Sequence, residues 1–164
     1  MSTLVPPHGG GKLKPLLLKG SARAEELKRA EELVKVPITS REISDLFMLA
    51  MGAYTPIDRF MDEEDWSLCC EGMTTKNGLF WPIPITMSCG ENVADNISIG
   101  DEIALIDTSY SEILAIQTVT EKYTIDKHFE CQEVFRTTDE NHPGVQKVMQ
   151  QSAVNLAGPI VALS

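Results

Sequence analysis

GDEIALIDTSYSEILAIQTVTEKYTI, residues 100–125, decides the fold class. Gly100-Asp101 is a turn signal, and EIALID (102–107) alternates behind it with strand periodicity. ILAIQTVTEKYTI (113–125) is rich in β-branched residues and reads as one long strand. On the N-terminal side the texture is helical. SARAEELKRAEELV (21–34) carries Leu27, Ala30, Leu33 and Val34 as a narrow apolar stripe, with Ser21 as cap and Pro37 as stop. SREISDLFMLAMG (40–52) repeats Ile43, Leu46, Phe47 and Ala50 at core-facing spacing, with Ser40 as cap and Gly52 as stop. Asp62 caps a third helix, DEEDWSLCCEGM, whose first-turn acids suit the helix dipole. LFWPIPITMS (79–88) is apolar with two prolines and reads as an edge or bulged strand. Asp126–Arg136 reads as a helix, and Pro143 opens another at its first position. Early helices followed by strands and short helices give an α+β chain around a small, closed or half-closed sheet.

The remaining constraints are compositional. A chain of 164 residues buries roughly 70% of its unfolded surface and needs neither metal nor disulfide to hold a core. Its net charge is −10. Residues 1–35 hold seven basic and four acidic side chains, and the remainder holds seven basic and twenty acidic. Such a body repels nucleic-acid phosphates and anionic lipid surfaces. No apolar run approaches the ~18 residues of a membrane span, and Leu16-Leu17-Leu18 is too short for a signal-peptide core. A cytoplasmic location is expected. Cys69, Cys70, Cys89 and Cys131 show no C-x-x-C spacing and read as buried free thiols.

The search for chemistry is mostly negative. His8-Gly9-Gly10-Gly11-Lys12 fails as a phosphate loop: Pro6 or Pro7 stands where glycine is needed, and Leu13 where Ser or Thr is needed. It reads as a flexible arm. His8, His128 and His142 lie far apart, and no hydrolase, zincin or dinucleotide motif occurs. Asp62, Glu63, Glu64 and Asp65 are read as a helix start rather than a cation cluster. Asp139 and Glu140 before Asn141-His142-Pro143 read as a capped turn. Trp66, Trp81 and Phe80 read as core rather than a stacking platform. No catalytic, cofactor or metal residue is assigned.

Six segments in order resemble the N-terminal region of the ATP sulfurylases (sulfate adenylyltransferases). They are LVPPHGG (4–10), SREISDLFMLAMGAYTPIDRFMDEEDW (40–66), LFWPIPITM (79–87), IGDEIALID (99–107), YTIDK (123–127) and TTDENHPGV (137–145). Arg59 and Arg136 stand where that family commonly has glycine. Ordinary backbone angles are therefore expected at both turns. The resemblance implies a PUA-like domain: a small mixed β-barrel with flanking N-terminal helices over 21–164, preceded by an extended arm over 1–20. It implies a C-terminal catalytic domain after residue 164, since the apolar run ending Val161-Ala162-Leu163-Ser164 stops abruptly. The parent protein would join sulfate to the α-phosphate of ATP, with Mg-ATP bound in that absent domain. Its Gln-x-Arg-Asn-Pro and His-x-x-His motifs do not occur in this chain.

The resemblance thus implies a structural or interface role for a stretch inactive alone. The expected partners are its own catalytic domain and further subunits of a homo-oligomer, with no nucleic acid and no membrane. The surface facing the catalytic domain should be apolar. The competing readings are a free-standing PUA-like module for RNA or protein, and a small enzyme whose site assembles around Cys131 or His128.

Overall fold

The computed structural model describes residues 5–164. In chain order the elements are α1 (Gly20–Ala30), β1 (Val34–Pro37), α2 (Ser40–Ala50), β2 (Arg59–Phe60), α3 (Glu63–Gly72), β3 (Ser88–Cys89) and α4 (Glu91–Ala94). They continue with β4 (Glu102–Asp107), β5 (Glu112–Thr118), β6 (Glu121–Tyr123), α5 (Lys127–Phe135), α6 (Pro143–Met149) and β7 (Val154–Ala162). Strands pair in both senses, so the chain is α+β with a mixed sheet. It divides into two compact units. One comprises residues 5–59, 102–118 and 159–164, and the other residues 60–101 and 119–158.

In the first unit, β4 and β5 form an antiparallel hairpin with a bulge between Leu105 and Ile106. The end of β7 pairs antiparallel with β5, Ala115 opposite Ala162. β1 lies parallel to β4, Val34 opposite Ile103 and Pro37 opposite Ile106. The predicted first helix therefore runs too long: α1 ends at Ala30, and Val34 belongs to a strand. The reason is tertiary, because β4 offers a ladder that local spacing cannot reveal. α1 also starts one residue earlier than expected, with Lys19 as an N-cap that makes no side-chain cap, so Ser21 is not the cap. Ala30, Ala104, Ile113, Ile116 and Leu163 form the core, with Leu27, Leu33, Leu18 and Ile106 packed against it.

α2 is capped by Thr39, not Ser40. Thr39 Oγ1 accepts from the Glu42 amide at 3.4 Å, and the Glu42 carboxylate accepts from the Thr39 amide at 2.7 Å. Its buried face is Leu46, Leu49 and Ala50. Phe47, expected inside, points outward, because the helix is rotated toward Leu49. Gly52 ends the helix at φ +80 as expected. A Cβ there would lie 2.9 Å from the Pro15 nitrogen, so only glycine lets the arm pass. The arm is anchored, with the Leu16 and Leu17 amides donating to the Ala50 carbonyl and the Leu18 amide to that of Ala162. Met1–Leu4 lie outside the described residues.

In the second unit, β3 and β6 both pair antiparallel with the start of β7. The long strand expected over 113–125 is broken at Val119-Thr120. The Val119 amide turns to the Asp101 carbonyl at 2.8 Å, and that of Thr120 to Ala157 at 2.8 Å. LFWPIPITMS is not a strand until Ser88, because Pro82 and Pro84 lack the N–H a ladder requires. α3, capped by Asp62 as expected, packs Trp66 and Cys70 against Tyr123, Ala157, Ile125 and Phe129. α5 and α6 share a second cluster of Cys131, Val145 and Val148.

Candidate functional site

The segments that carried the resemblance are the natural place to look for chemistry. In YTIDK (123–127) the side chains of Tyr123, Asp126 and Lys127 are committed to the fold. Tyr123 donates its hydroxyl to the Met61 carbonyl at 2.8 Å. Asp126 caps α5 by accepting from the Phe129 amide at 3.0 Å. Lys127 reaches the Met149 and Gln151 carbonyls at 3.2 and 2.5 Å, satisfying the end of α6. The motif is architecture.

TTDENHPGV (137–145) behaves the same way. Asp139 accepts from the Asn141 backbone and side chain at 2.9 and 2.8 Å, the capped turn expected. Those bonds hold the Asp139 carboxyl below its ordinary pKa. His142 is the N-cap of α6. Its Nδ1 accepts from the Gly144 and Val145 amides at 3.1 and 3.4 Å, and its ring packs on Phe135. Arg136 corrects an expectation. Its φ is +57, so it holds the left-handed C-cap of α5 despite its Cβ. Arg59 does take ordinary angles, in β2.

The other sequence candidates disperse. His8 sits in an exposed turn closed by the Gly10 amide on Pro7, and His128 is exposed on α5. Cys131 is buried, and burial raises its thiol pKa, so it is held as the unreactive thiol. All four cysteines are free and buried, as expected. Trp66 is core and donates to the buried Glu130 carboxylate at 2.7 Å. Phe80, expected in the core, is 59% exposed. Among the described residues no group of three His, Cys, Asp or Glu side chains is placed to hold a metal.

Electrostatics point away from binding anions in the second unit. It carries fourteen acidic and five basic side chains. Lys76 is bound to Asp62 and Asp65, Lys122 to the Ala94 and Ile97 carbonyls at 3.0 and 2.7 Å, and Arg136 to Glu133. With Lys127 spent on α6, four of the five are engaged internally. A hollow of about 550 Å³ is lined by Asp62, Glu63, Glu64, Ser67, Leu68 and Glu121, and four of those side chains besides Asp62 and Leu68 include three further carboxylates. Sulfate and nucleotide phosphates require Arg, Lys or free amides instead.

What remains is a surface feature that sequence reading missed. α3 ends at Met73 in the left-handed region, φ +51, and the chain folds back in a short arch. Thr74 bridges Phe80, and the Trp81 amide donates to the Met73 carbonyl at 2.7 Å. Lys76 secures the arch through its amide on Asp65 Oδ1 at 2.8 Å. Met73, Phe80 and Ile83 are left 41%, 59% and 51% exposed. The available signal was the Pro82/Pro84 pair, which forbids strand pairing in an apolar segment.

These elements define an α+β module built on a mixed sheet. The family model for the PUA-like domain matches residues 5–164, and the chain belongs to that family. It is 56% identical over 166 residues to a sulfate adenylyltransferase of Syntrophobacter fumaroxidans (strain DSM 10017 / MPOB), covering all of this chain and 40% of that protein. It is 52% identical over 164 residues to the sulfate adenylyltransferase of Thiobacillus denitrificans (strain ATCC 25259 / T1), again covering 40% of that protein. The chain therefore spans about two fifths of the curated relatives it matches, and the resemblance read from the six segments is borne out. A solved structure of a hexameric APS kinase from Thiobacillus denitrificans superposes with a TM-score of 0.71 at 23% identity, over 98% of this chain and 27% of that one. That likeness is one of fold.

Proposed function

We propose that this chain is the N-terminal PUA-like part of a sulfate adenylyltransferase, with a structural and interface role and no activity alone. The observation that carries the reading is the match along the whole chain, at about half identity, to two fifths of enzymes with that name. The parent enzyme makes adenylyl sulfate and pyrophosphate from ATP and sulfate. Mg-ATP binds in a C-terminal catalytic domain, which is the partner of this one, and the assembled enzyme is a cytoplasmic homo-oligomer. The supporting chemistry is the engagement of the second unit's cations and its excess of carboxylates, which leave it unsuited to two polyanionic substrates. The same charge disfavours a nucleic-acid partner.

The test is twofold. An immunoblot of the source should show a band well above 18.1 kDa. Sulfate-dependent pyrophosphate release should accompany that larger protein and be absent from the 164-residue chain. A native band at 18.1 kDa, or release by the short chain, overturns the reading.

A further inference from the structure

We propose that the arch from Met73 to Ile83 is the face on which the catalytic remainder of the larger polypeptide docks; this rests on the reading above. Met73, Phe80 and Ile83 are each exposed along the arch, and Pro82 is exposed as well. Their backbone is tied down rather than loose. The Thr75 amide donates to Leu79 at 2.9 Å, the Gly78 amide to Thr75 at 2.8 Å, and the Cys69 thiol to the Trp81 carbonyl at 2.8 Å. A preordered apolar anchor loses little conformational entropy on association, which is the condition for a binding hot spot.

Three observations choose the occupant. Pro82 and Pro84 remove two donors from the segment, so it does not recruit a partner by strand addition; contact must be through side chains. Glu63, Glu64 and Glu71 are exposed on α3, the helix from whose end the arch leaves. A second copy meeting the same face would bring its own fourteen-to-five acidic excess against this one, which opposes a two-fold self-contact. Finally, the relatives carry about three fifths of their length beyond what this chain matches, ample surface to cover the arch. The docking face on the catalytic part is thus apolar at its centre and neutral or basic at its rim.

The experiment uses maleimide labelling of Phe80→Cys and, separately, Ile83→Cys. The four thiols of this stretch are buried, with the pKa values of Cys69, Cys70 and Cys131 raised, and labelling is read at the introduced cysteine by peptide mass so that no other thiol enters the rate. Rates are normalised to the urea-unfolded protein, and circular dichroism checks that each variant is folded. Labelling in the full-length gene product should be at least tenfold slower than in the 164-residue chain, at every protein concentration. Equal rates in the two proteins overturn the proposal. So does protection of the 164-residue chain that grows with its concentration, since a second copy is then the occupant. A gene product ending at Ser164 overturns it outright. Protection in a full-length protein that makes no adenylyl sulfate would leave the docking face standing and remove the enzymatic reading, so the two fail separately.

Discussion

The Trp66 indole donates to Glu130 Oε2 at 2.7 Å, joining α3 to α5 through a carboxylate that is 2% exposed. The ring also meets Phe129 at 6.0 Å. Glu130→Ala leaves the indole N–H buried without this acceptor, at a cost of about 1–3 kcal/mol. Glu130→Gln keeps an acceptor and should lie within about 1 kcal/mol of the parent. Urea unfolding followed by tryptophan emission in a Trp81→Phe background reads both. An unchanged midpoint for Glu130→Ala would remove this contact from the stability of the unit.

Arg136 occupies a left-handed C-cap at φ +57. Left-handed backbone costs a non-glycine residue roughly 1–2 kcal/mol, which glycine avoids. The Arg136–Glu133 pair offsets little, because exposed ion pairs contribute about 0–1 kcal/mol. Arg136→Gly is therefore expected to raise stability by about 1 kcal/mol, a Tm increase of roughly 2–4 °C for a chain of this size. Arg136→Ala keeps the strain and loses the pair, so it should not gain. Calorimetry distinguishes the two, and a lower Tm for Arg136→Gly contradicts the argument.

Stability should fall in alkali. Burial, then the Glu130 and Asp65 carboxylates, push the Cys69 thiol up to about 12, and Cys70 shifts the same way for the same first reason. Burial and Asp45 push Tyr54 to about 12. Each folded pKa is raised, so the unfolded chain releases its protons first. The folded state then binds more protons above about pH 9, and stability declines as pH rises. The urea midpoint should drop between pH 9 and 11. Cys70→Ala should flatten the decline by up to about 1.4 kcal/mol per pH unit. A flat profile for the parent protein would refute this.

Gly52→Ala tests the anchoring of the arm. The new Cβ would lie 2.9 and 3.0 Å from the backbone of Pro15 and Lys14, at φ +80. Overpacking of this kind costs about 1–3 kcal/mol, and the left-handed angle adds to it. Gly10→Ala shares the positive φ but meets nothing within 4 Å. Limited trypsin digestion at Lys12 should accelerate in Gly52→Ala and much less in Gly10→Ala. Equal digestion would show that the close approach does not hold the arm.

The parts of this protein that depend on neighbours in the chain were legible in its sequence. Asp62 and Asp126 cap their helices and Pro143 opens α6, because capping and fixed φ act within one turn. The hairpin strand β4 was an equally local reading. Tertiary structure decided the rest. Val34–Pro37 became a strand only because β4, some seventy residues away, lies beside it. The strand over 113–125 broke where Val119 and Thr120 found different partners. Phe47 faced out and Leu49 in because the rotation of α2 is set by what it packs on. Arg136 was held at a positive φ against its own preference. The exposed arch at Phe80 belongs with these. Hydrophobicity marks a residue for burial, but the three-dimensional arrangement decides whether this chain or a partner supplies the cover.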